Sequence, residues 1–342
     1  MTKQRPFNAE RRIADAFAHR EGDRVPLWGM LCHRPIYERL LGAAAVGNAV
    51  DVPLEEKLAS HARVYRELGI DMTRAQLWPP DRGAPPEEAT VWQPHAASAA
   101  DVASYRPDLP DDAARDQAAV IFRMQIDANS PHTVFAPTVR GVFCPVFERM
   151  GLEEFSYACA DSPREIERLM DLHTEYARSM AERVAALPQA AYAVVADDMA
   201  YKGGLMFPPA WMRTHWLPRI ARVIEPLKRA GLKVIYHSDG NIEALLADLI
   251  GVGVDAINPL EPLAGMDIGR IKRQFGADLT LIGGVDCAEL LTFGRPEQVR
   301  DAVRRLIDLA APGGGFIIGD SSQVMPDTPT ENLLAFYETV HG

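Results

Sequence analysis

His237 and Asp239 lie two residues apart at the end of an apolar run, residues 233–236. Residues i and i+2 of a β-strand share one face, so the imidazole and the carboxylate can reach a common point. Such a pair is suited to binding a metal ion, binding an acid or relaying a proton. The alternative interpretation is structural: Asp239 closes an Asx-type turn, and Asn241 caps a helix over residues 242–250.

Polar residues recur at the ends of other strand-like runs. If these runs are parallel strands of one barrel, their carboxyl ends converge on one opening, the mouth, where barrel enzymes carry their active sites. We therefore expect one polar pocket at the mouth. Its expected members are Cys32, His33, Arg34, Asp71, Arg74, Thr138, Arg140, Asp197, Asp198, His237, Asp239, Asn258, Glu261, Asp286, Cys287, Asp320, Ser321 and Ser322.

The elements that position these residues alternate between apolar strands and amphipathic helices. A capping box at residues 162–165 predicts the start of one helix, and a similar signal at 328–331 precedes the last helix, 332–340. Eight strand–helix units in 342 residues predict an α/β fold, a single (β/α)8 TIM barrel forming one domain over residues 1–342. The predicted strands are residues 25–30, 70–75, 133–138, 192–196, 233–236, 256–259, 279–282 and 316–318.

Residues 79–130 interrupt this alternation. They are rich in Pro, Ala and Asp, with turn signals at Pro79-Pro80 and Pro85-Pro86. We predict an excursion on the second βα loop that forms part of the wall of the site. Gly313-Gly314-Gly315, in contrast, precedes the eighth strand, so we predict a helix-to-strand turn there and not a phosphate-binding loop.

The composition is that of a globular protein, with 47% hydrophobic and 24% charged residues. The net charge of −11 and the lack of a basic cluster argue against a nucleic-acid partner. An apolar signal core and a run of membrane-spanning length are both missing, so we expect no membrane association. The four cysteines form no Cys-x-x-Cys pair, which is typical of a reducing cytoplasm.

Four segments resemble motifs of the uroporphyrinogen decarboxylase superfamily, a group of (β/α)8 barrels. They are Tyr236-His-Ser-Asp-Gly-Asn-Ile242, Gly253-Val-Asp-Ala-Ile-Asn-Pro259, Gly283-Gly-Val-Asp286 and Pro326-Asp-Thr-Pro-Thr-Glu-Asn332. Asp197-Asp198 and Phe207-Pro-Pro209 agree with the segment after the fourth strand. The resemblance is loose over residues 1–130 and close over 233–342. It is specific for the superfamily but not for one activity.

The superfamily contains porphyrinogen decarboxylases and zinc-dependent methyltransferases that work with corrinoid proteins. The resemblance implies that a decarboxylase would carry an Arg-Gln-Ala-Gly-Arg segment after the first strand, where it holds the propionates of the substrate. The corresponding stretch here is Trp28-Gly-Met-Leu-Cys-His-Arg34, which lacks that segment. A porphyrinogen with four or more carboxylates would find too few cations, so we expect the chain to lie on the methyltransferase side.

In the methyl-coenzyme-forming members, zinc is held by His-x-Cys after the fifth strand and by a Cys after the eighth. The resemblance places His237 at the first ligand position, Asp239 at the second and Ser322 at the third. A neutral serine hydroxyl is a poor zinc ligand, so we predict an oxygen-preferring zinc site that adds another residue to His237 and Asp239. The candidates for that residue are the carboxylates Glu261 and Asp286 and, as alternatives, the thiols Cys287 and Cys144.

The predicted function is transfer of a methyl group from a small O- or N-methylated substrate to a corrinoid protein that carries cobalamin. Zinc would polarise the heteroatom that bears the methyl group. Asp197, Asp198 or Asp286 would move protons or orient His237, and Arg140 is a further catalytic candidate. A homodimer is compatible with such a barrel. The candidate substrate-binding residues are Arg74, Asn258, Ser322 and His33.

Two other functions stay open. In a metal-free decarboxylase or lyase, Arg74 or Arg140 would hold the carboxylate of a small acid, and a carboxylic acid would protonate the carbanion. A non-catalytic role as a chaperone of a corrinoid partner is the third, and the dense polar mouth argues against it. Metal content and carbon dioxide release would distinguish these functions.

Overall fold

The structure, a computed structural model, describes residues 8–31, 33–42, 52–74 and 101–342, so Cys32 and residues 75–100 lie outside the described part. The strands are β1 (Met72–Arg74), β2 (Val134–Ala136), β3 (Thr138–Arg140), β4 (Tyr192–Ala196), β5 (Ala200–Tyr201), β6 (Gly204–Leu205), β7 (Lys233–His237), β8 (Ala256–Leu260), β9 (Thr280–Val285) and β10 (Phe316–Asp320).

The helices surround these strands. The α-helices are α1 (Ala9–Phe17), α2 (Arg34–Leu41), α3 (Leu54–Leu68), α4 (Asp112–Asn129), α5 (Cys144–Met150), α6 (Leu152–Asp161), α7 (Pro163–Ala185), α8 (Pro209–Trp211), α9 (Leu217–Arg229), α10 (Leu246–Gly251), α11 (Ile268–Phe275), α12 (Leu290–Phe293), α13 (Pro296–Ala310) and α14 (Thr330–His341). A π-helical turn at Met212–Trp216 joins α8 to α9, and short 3-10 turns lie at Glu243–Leu245 and Pro262–Ala264.

A parallel sheet forms the centre of the molecule. Six strands pair in the order β10-β9-β8-β7-β4-β3, and β1 pairs with β2. β2 and β3 are the two halves of one extended segment, separated by Pro137, and they pair with β1 and β4 respectively. Proline has no N–H to donate to a ladder, which explains the break at this position.

Residues 26–29 complete the ring between β10 and β1. The N–H of Trp28 donates to the carbonyl of Ile318 at 2.8 Å, and the N–H of Gly29 donates to the carbonyl of Met72 at 3.1 Å. The fold is therefore a (β/α)8 barrel, as the strand pattern predicts, and all eight predicted strands correspond to parallel segments of this ring.

Side chains of the ring alternate between the barrel interior and the layer of helices. Met72, Val194, Ile235 and Ile317 belong to one buried cluster inside the barrel. Their chain neighbours, such as Val195 and Tyr236, belong to the larger core beneath the helices. This period of two decides which polar residues at the strand ends face the mouth.

The predicted excursion covers residues 79–130, of which residues 79–100 lie outside the described part of the chain. Residues 112–129 form α4, a helix of the outer layer, in which Phe122 and Ile126 are buried in the core. This helix buries few residues, which is why its sequence pattern is easily taken for a loop.

The turn signals have mixed outcomes. α7 begins at Pro163 as predicted, but the Ser162 side chain forms no capping hydrogen bond. The last helix begins at Thr330, two residues earlier than predicted. Gly313, Gly314 and Gly315 form the predicted turn before β10, each with positive φ (77°, 71° and 67°). Within the described ranges, no helix combines the length and apolarity needed to cross a bilayer.

Candidate active site

Asp198, His237 and Asp239 form a cluster at the mouth. One oxygen or nitrogen atom from each residue lies within 4.8 Å of those from the other two. The strand register brings the residues together, because β4 and β7 are neighbours and Val194 and Ile235 point into the barrel. Asp198 and His237 follow these two residues by even numbers of positions, so they point inward as well.

His237 is held at both ring nitrogens. Nδ1 lies 2.7 Å from Oδ1 of Asn258, and Nε2 lies 3.3 Å from Nη2 of Arg74. A guanidinium only donates hydrogen bonds, so Nε2 must accept, and Nδ1 then carries the proton and donates to Asn258. Burial and the positive charge of Arg74 lower the pKa of His237 to about 4. The ring is therefore neutral near pH 7, with the lone pair of Nε2 directed into the cluster.

Asp239 presents one free oxygen to His237. Ser322 Oγ donates to Asp239 Oδ2 at 3.1 Å, while Oδ1 is buried, has no hydrogen-bond partner among the described residues and lies 3.9 Å from Nε2 of His237. Burial, with the charge of Asp198, raises the pKa of Asp239 to about 7. The carboxylate bonds to Ser322 and not to the backbone, so the structure differs from the Asx-turn interpretation. Asn241 does accept from the N–H of Glu243, at 3.1 Å.

Asp198 completes the cluster in place of Glu261. Its Oδ1 accepts the backbone N–H of Asp239 at 2.9 Å, which ties the end of β4 to the turn after β7. Glu261, predicted as a metal ligand, instead accepts the N–H of Gly240 at 2.9 Å and is not part of the cluster. Gly240 has φ +82°, and a Cβ on it would lie 2.5 Å from the backbone nitrogen of Tyr201, so this turn requires glycine.

Asp197 has a capping role that differs from the predicted catalytic one. It follows Val194 by an odd number of residues and points out of the barrel, where it is 1% exposed. Its two oxygens accept the backbone N–H groups of Val142, Phe143 and Cys144 and the indole N–H of Trp216, at 2.7 to 3.1 Å. Burial raises the pKa of Asp197 to about 6, and these donors oppose the rise.

Asp286 also caps a backbone turn. Its carboxylate accepts the N–H groups of Ala288, Glu289 and Leu290, at 2.8 to 3.1 Å, immediately before α12. It is not in the cluster around His237. Neither the catalytic role nor the ligand role predicted for Asp286 therefore corresponds to its position.

Two arginines line the mouth at the ends of β1 and β3. Arg74 is 6% exposed, and besides contacting His237 its Nε donates to Met30 Sδ at 3.0 Å. Arg140 Nη2 lies 2.5 Å from Glu148 Oε2, so this predicted catalytic residue is held in an ion pair. Arg74 is thus the arginine that reaches the cluster.

The remaining predicted site residues have supporting positions. His33 is fully buried, and its Nδ1 accepts the N–H of Ile36 at 3.3 Å, so it caps α2. Its substrate-binding role stays a prediction. Asn258 orients His237, and Ser322 bonds to Asp239. Burial raises the pKa of the Cys287 thiol to about 11 and that of Cys144 well above its usual value, so both thiols are protonated near neutral pH.

The donor set of the cluster fits a zinc ion. An unprotonated imidazole nitrogen and carboxylate oxygens are accepted zinc ligands, and Asp239 Oδ1 is a buried oxygen to which no residue in the described part of the chain donates a hydrogen bond. Sequence reasoning missed Asp198 as a ligand candidate and Asn258 as the residue that orients His237. The alternation of inward and outward side chains identifies Asp198 once the direction of one residue in β4 is known.

Comparison with known proteins identifies relatives along most of the chain. The family model for uroporphyrinogen decarboxylase (URO-D) matches residues 86–342. A uroporphyrinogen decarboxylase from Syntrophotalea carbinolica is 25% identical over 265 residues, which cover 74% of this chain and 72% of that protein. One from Azoarcus sp. is 31% identical over 144 residues, covering 41% and 38%. A solved methyltransferase from Methanosarcina mazei has the same fold, with a TM-score of 0.74 at 15% identity over 98% of both chains.

Proposed function

The chain belongs to the uroporphyrinogen decarboxylase family, and we propose that within this family it is a metal-dependent methyltransferase. The proposed reaction moves a methyl group from a small O- or N-methylated substrate to a corrinoid protein. The observation that carries the proposal is the cluster of Asp198, His237 and Asp239, in which Nε2 of His237 is unprotonated and lies 3.9 Å from Oδ1 of Asp239. The fold shared with a solved methyltransferase is compatible with it.

The three residues of the cluster would hold a zinc ion through Nε2 of His237 and one oxygen from each aspartate. Bound there, zinc would act as a Lewis acid on the heteroatom that bears the methyl group. Asn258 keeps the proton of His237 on Nδ1, and Ser322 holds Asp239 Oδ2 so that Oδ1 stays directed at the ring. Hydrogen bonds of this kind fix ligand orientation before any ion arrives.

A porphyrinogen is a poor match for this mouth. Such a substrate presents several carboxylates, each of which would need a cation or several hydrogen-bond donors. Arg140 is already paired with Glu148, and Arg74 is surrounded by the charges of Asp198 and Asp239. These pairings leave little positive charge for a polyanion at the strand ends that the structure describes.

A metal-free decarboxylase of a small acid is the second candidate, and Arg74 with Asp239 supports it. The buried guanidinium of Arg74 would bind the carboxylate that leaves as carbon dioxide. The carbon–carbon bond breaks and its electron pair stays on the substrate carbon, which then takes a proton from Asp239. The raised pKa of Asp239, about 7, favours a protonated carboxyl near neutral pH, as a general acid requires.

Metal analysis of protein purified without chelators tests the main proposal. We expect about one zinc per chain in the wild type and almost none in His237→Ala. His215→Ala is the matched control, since His215 lies on the outer helices beside Glu167 and should leave the zinc content unchanged. Wild-type protein that stays without metal after incubation with zinc would overturn the metal site.

Product analysis separates the two enzymes. Methyl transfer requires a corrinoid protein or free cobalamin and releases no carbon dioxide. Carbon dioxide release from a small acid, without corrinoid and after zinc has been removed, would decide for the decarboxylase.

A further inference from the structure

Arg74 occupies the position that a metal ligated by His237 would take. Its Nη2 lies 3.3 Å from Nε2 of His237, and the lone pair on that nitrogen is the one available for a metal, because Nδ1 is engaged by Asn258. One lone pair cannot serve a hydrogen bond and a metal bond together. The contact with Arg74 and a bond to metal are therefore mutually exclusive.

Charge makes the exclusion stronger. The guanidinium is 6% exposed and keeps its positive charge, so a divalent cation beside it would be repelled in a poorly solvated site. Without a metal, the same guanidinium lies within the electrostatic reach of Asp198, Asp239 and Asp320 and offsets the repulsion between Asp198 and Asp239. Arg74 thus supplies positive charge to the cluster when no ion does.

Asp320 offers Arg74 another partner. This carboxyl ends β10, is 1% exposed, and its Oδ2 has no hydrogen-bond partner among the described residues. Asp198 and Asp239 would become metal ligands, whereas Asp320 would remain available to the guanidinium.

We propose that Arg74 is a resident counter-cation of the cluster, and that a divalent metal binds by displacing its guanidinium from His237 towards Asp320. The inference rests on the proposed metal site and adds that the affinity of this site is limited by an internal competitor. It assigns Arg74 a role in setting metal occupancy, in contrast to the substrate-binding role predicted from the sequence.

Zinc affinity of three proteins tests the proposal. The wild type, Arg74→Met and Arg140→Met are titrated with zinc against a chromophoric chelator at one fixed pH. Arg140→Met is the matched control, because Arg140 also raises the positive potential at His237 but does not contact Nε2. We expect Arg74→Met to bind zinc at least about tenfold more tightly than the wild type, and Arg140→Met to stay within about threefold.

The outcomes are distinguishable. One outcome is that the wild type binds zinc while Arg74→Met binds it equally well or more weakly. This result would overturn the role of Arg74 as a competitor and leave the proposed function intact. An equal increase in zinc affinity in Arg74→Met and Arg140→Met would show that the effect comes from general electrostatics. That result would also overturn the role of Arg74 as a competitor. Failure of both wild type and Arg74→Met to bind zinc would remove the metal site and the competitor together.

Asp320→Asn tests the displacement first in a protein that retains Arg74. If the displaced guanidinium needs Asp320, Asp320→Asn weakens zinc binding about tenfold in the wild-type background. In an Arg74→Met background, the same substitution should have almost no effect, since nothing has to move. Undiminished affinity in Asp320→Asn, or equal weakening in both backgrounds, would contradict the displacement.

Discussion

The side-chain oxygen of Asn258 and Nδ1 of His237 lie 2.7 Å apart, across the imidazole ring from the contact of Nε2 with Arg74. The two contacts fix one tautomer, because the oxygen of Asn258 accepts a hydrogen bond from Nδ1–H and the guanidinium of Arg74 donates a hydrogen bond to Nε2. The register Ile235↔Ala256 and His237↔Asn258 between β7 and β8 produces this relationship. Asn258 therefore supports the cluster by orienting His237.

Asn258→Ala should weaken metal binding without unfolding the protein. Loss of the acceptor frees the ring to rotate and to place its proton on Nε2, and loss of such an orienting partner costs about 10- to 100-fold in affinity. Zinc titration measures the change. Asn258→Asp keeps an acceptor at the same place and should retain most of the affinity. Equal losses in the two variants would indicate a packing defect at this position.

A comparison of Asp198→Asn with Asp286→Asn should distinguish a proposed metal ligand from a residue that caps backbone N–H groups. We expect Asp198→Asn to lower activity by at least about 100-fold, because the proposed metal site would lose one carboxylate ligand. Asp286→Asn keeps one acceptor oxygen at a backbone cap and should cost at most about 1 kcal/mol of stability while kcat stays close to that of the wild type. Kinetics and thermal unfolding of both variants check this. A large loss of kcat in Asp286→Asn alone would restore the role predicted from its sequence position.

The sequence predicts the barrel well because its signals are local and repeated. All eight strand segments were identifiable from apolar runs, and His237 with Asp239 was identifiable from spacing. The choice between Asp197 and Asp198 was not, because strands of a parallel barrel are apolar on both faces and show no alternation that reveals direction. The capping by Glu261 and Asp286 depends on turn geometry, which spacing does not determine.

Asp320 should make the metal-free protein less stable as the pH rises. Burial raises the pKa of Asp320 to about 8, above that of an unfolded aspartate near 4, so between these values the folded state holds a proton that the unfolded state releases. Stability then falls with increasing pH over this interval, by up to about 1.4 kcal/mol per pH unit, and levels off above it.

Denaturant unfolding of metal-free protein at several pH values measures this slope. The asparagine in Asp320→Asn cannot ionise. Between pH 5 and 8 the free energy of unfolding of this variant should therefore fall less steeply than that of the wild type, with slopes that differ by about 1 kcal/mol per pH unit. Asp308→Asn, on an outer helix at the opposite end of the barrel, is a control that should keep the wild-type slope. Parallel curves for the wild type and Asp320→Asn would show that Asp320 does not carry its proton in the folded state.

Gly141→Ala should destabilise the fold through Asp197. A Cβ on Gly141 would lie 2.1 Å from both Cβ and Cγ of Asp197, far inside contact distance, and Asp197 cannot retreat because its oxygens hold the backbone at the start of α5. We expect the free energy of unfolding to fall by about 3 kcal/mol, the upper range for overpacking, since either the helix cap or the strand must shift.

Gly251→Ala is the matched control: a Cβ there meets no atom within 4 Å, and alanine in a helix is favoured over glycine by about 0.5–1 kcal/mol. Denaturant unfolding of both variants measures the difference. If the Gly141→Ala protein were as stable as the wild type, Asp197 could move away from its four hydrogen-bond donors. The capping role would then not hold Asp197 away from the mouth.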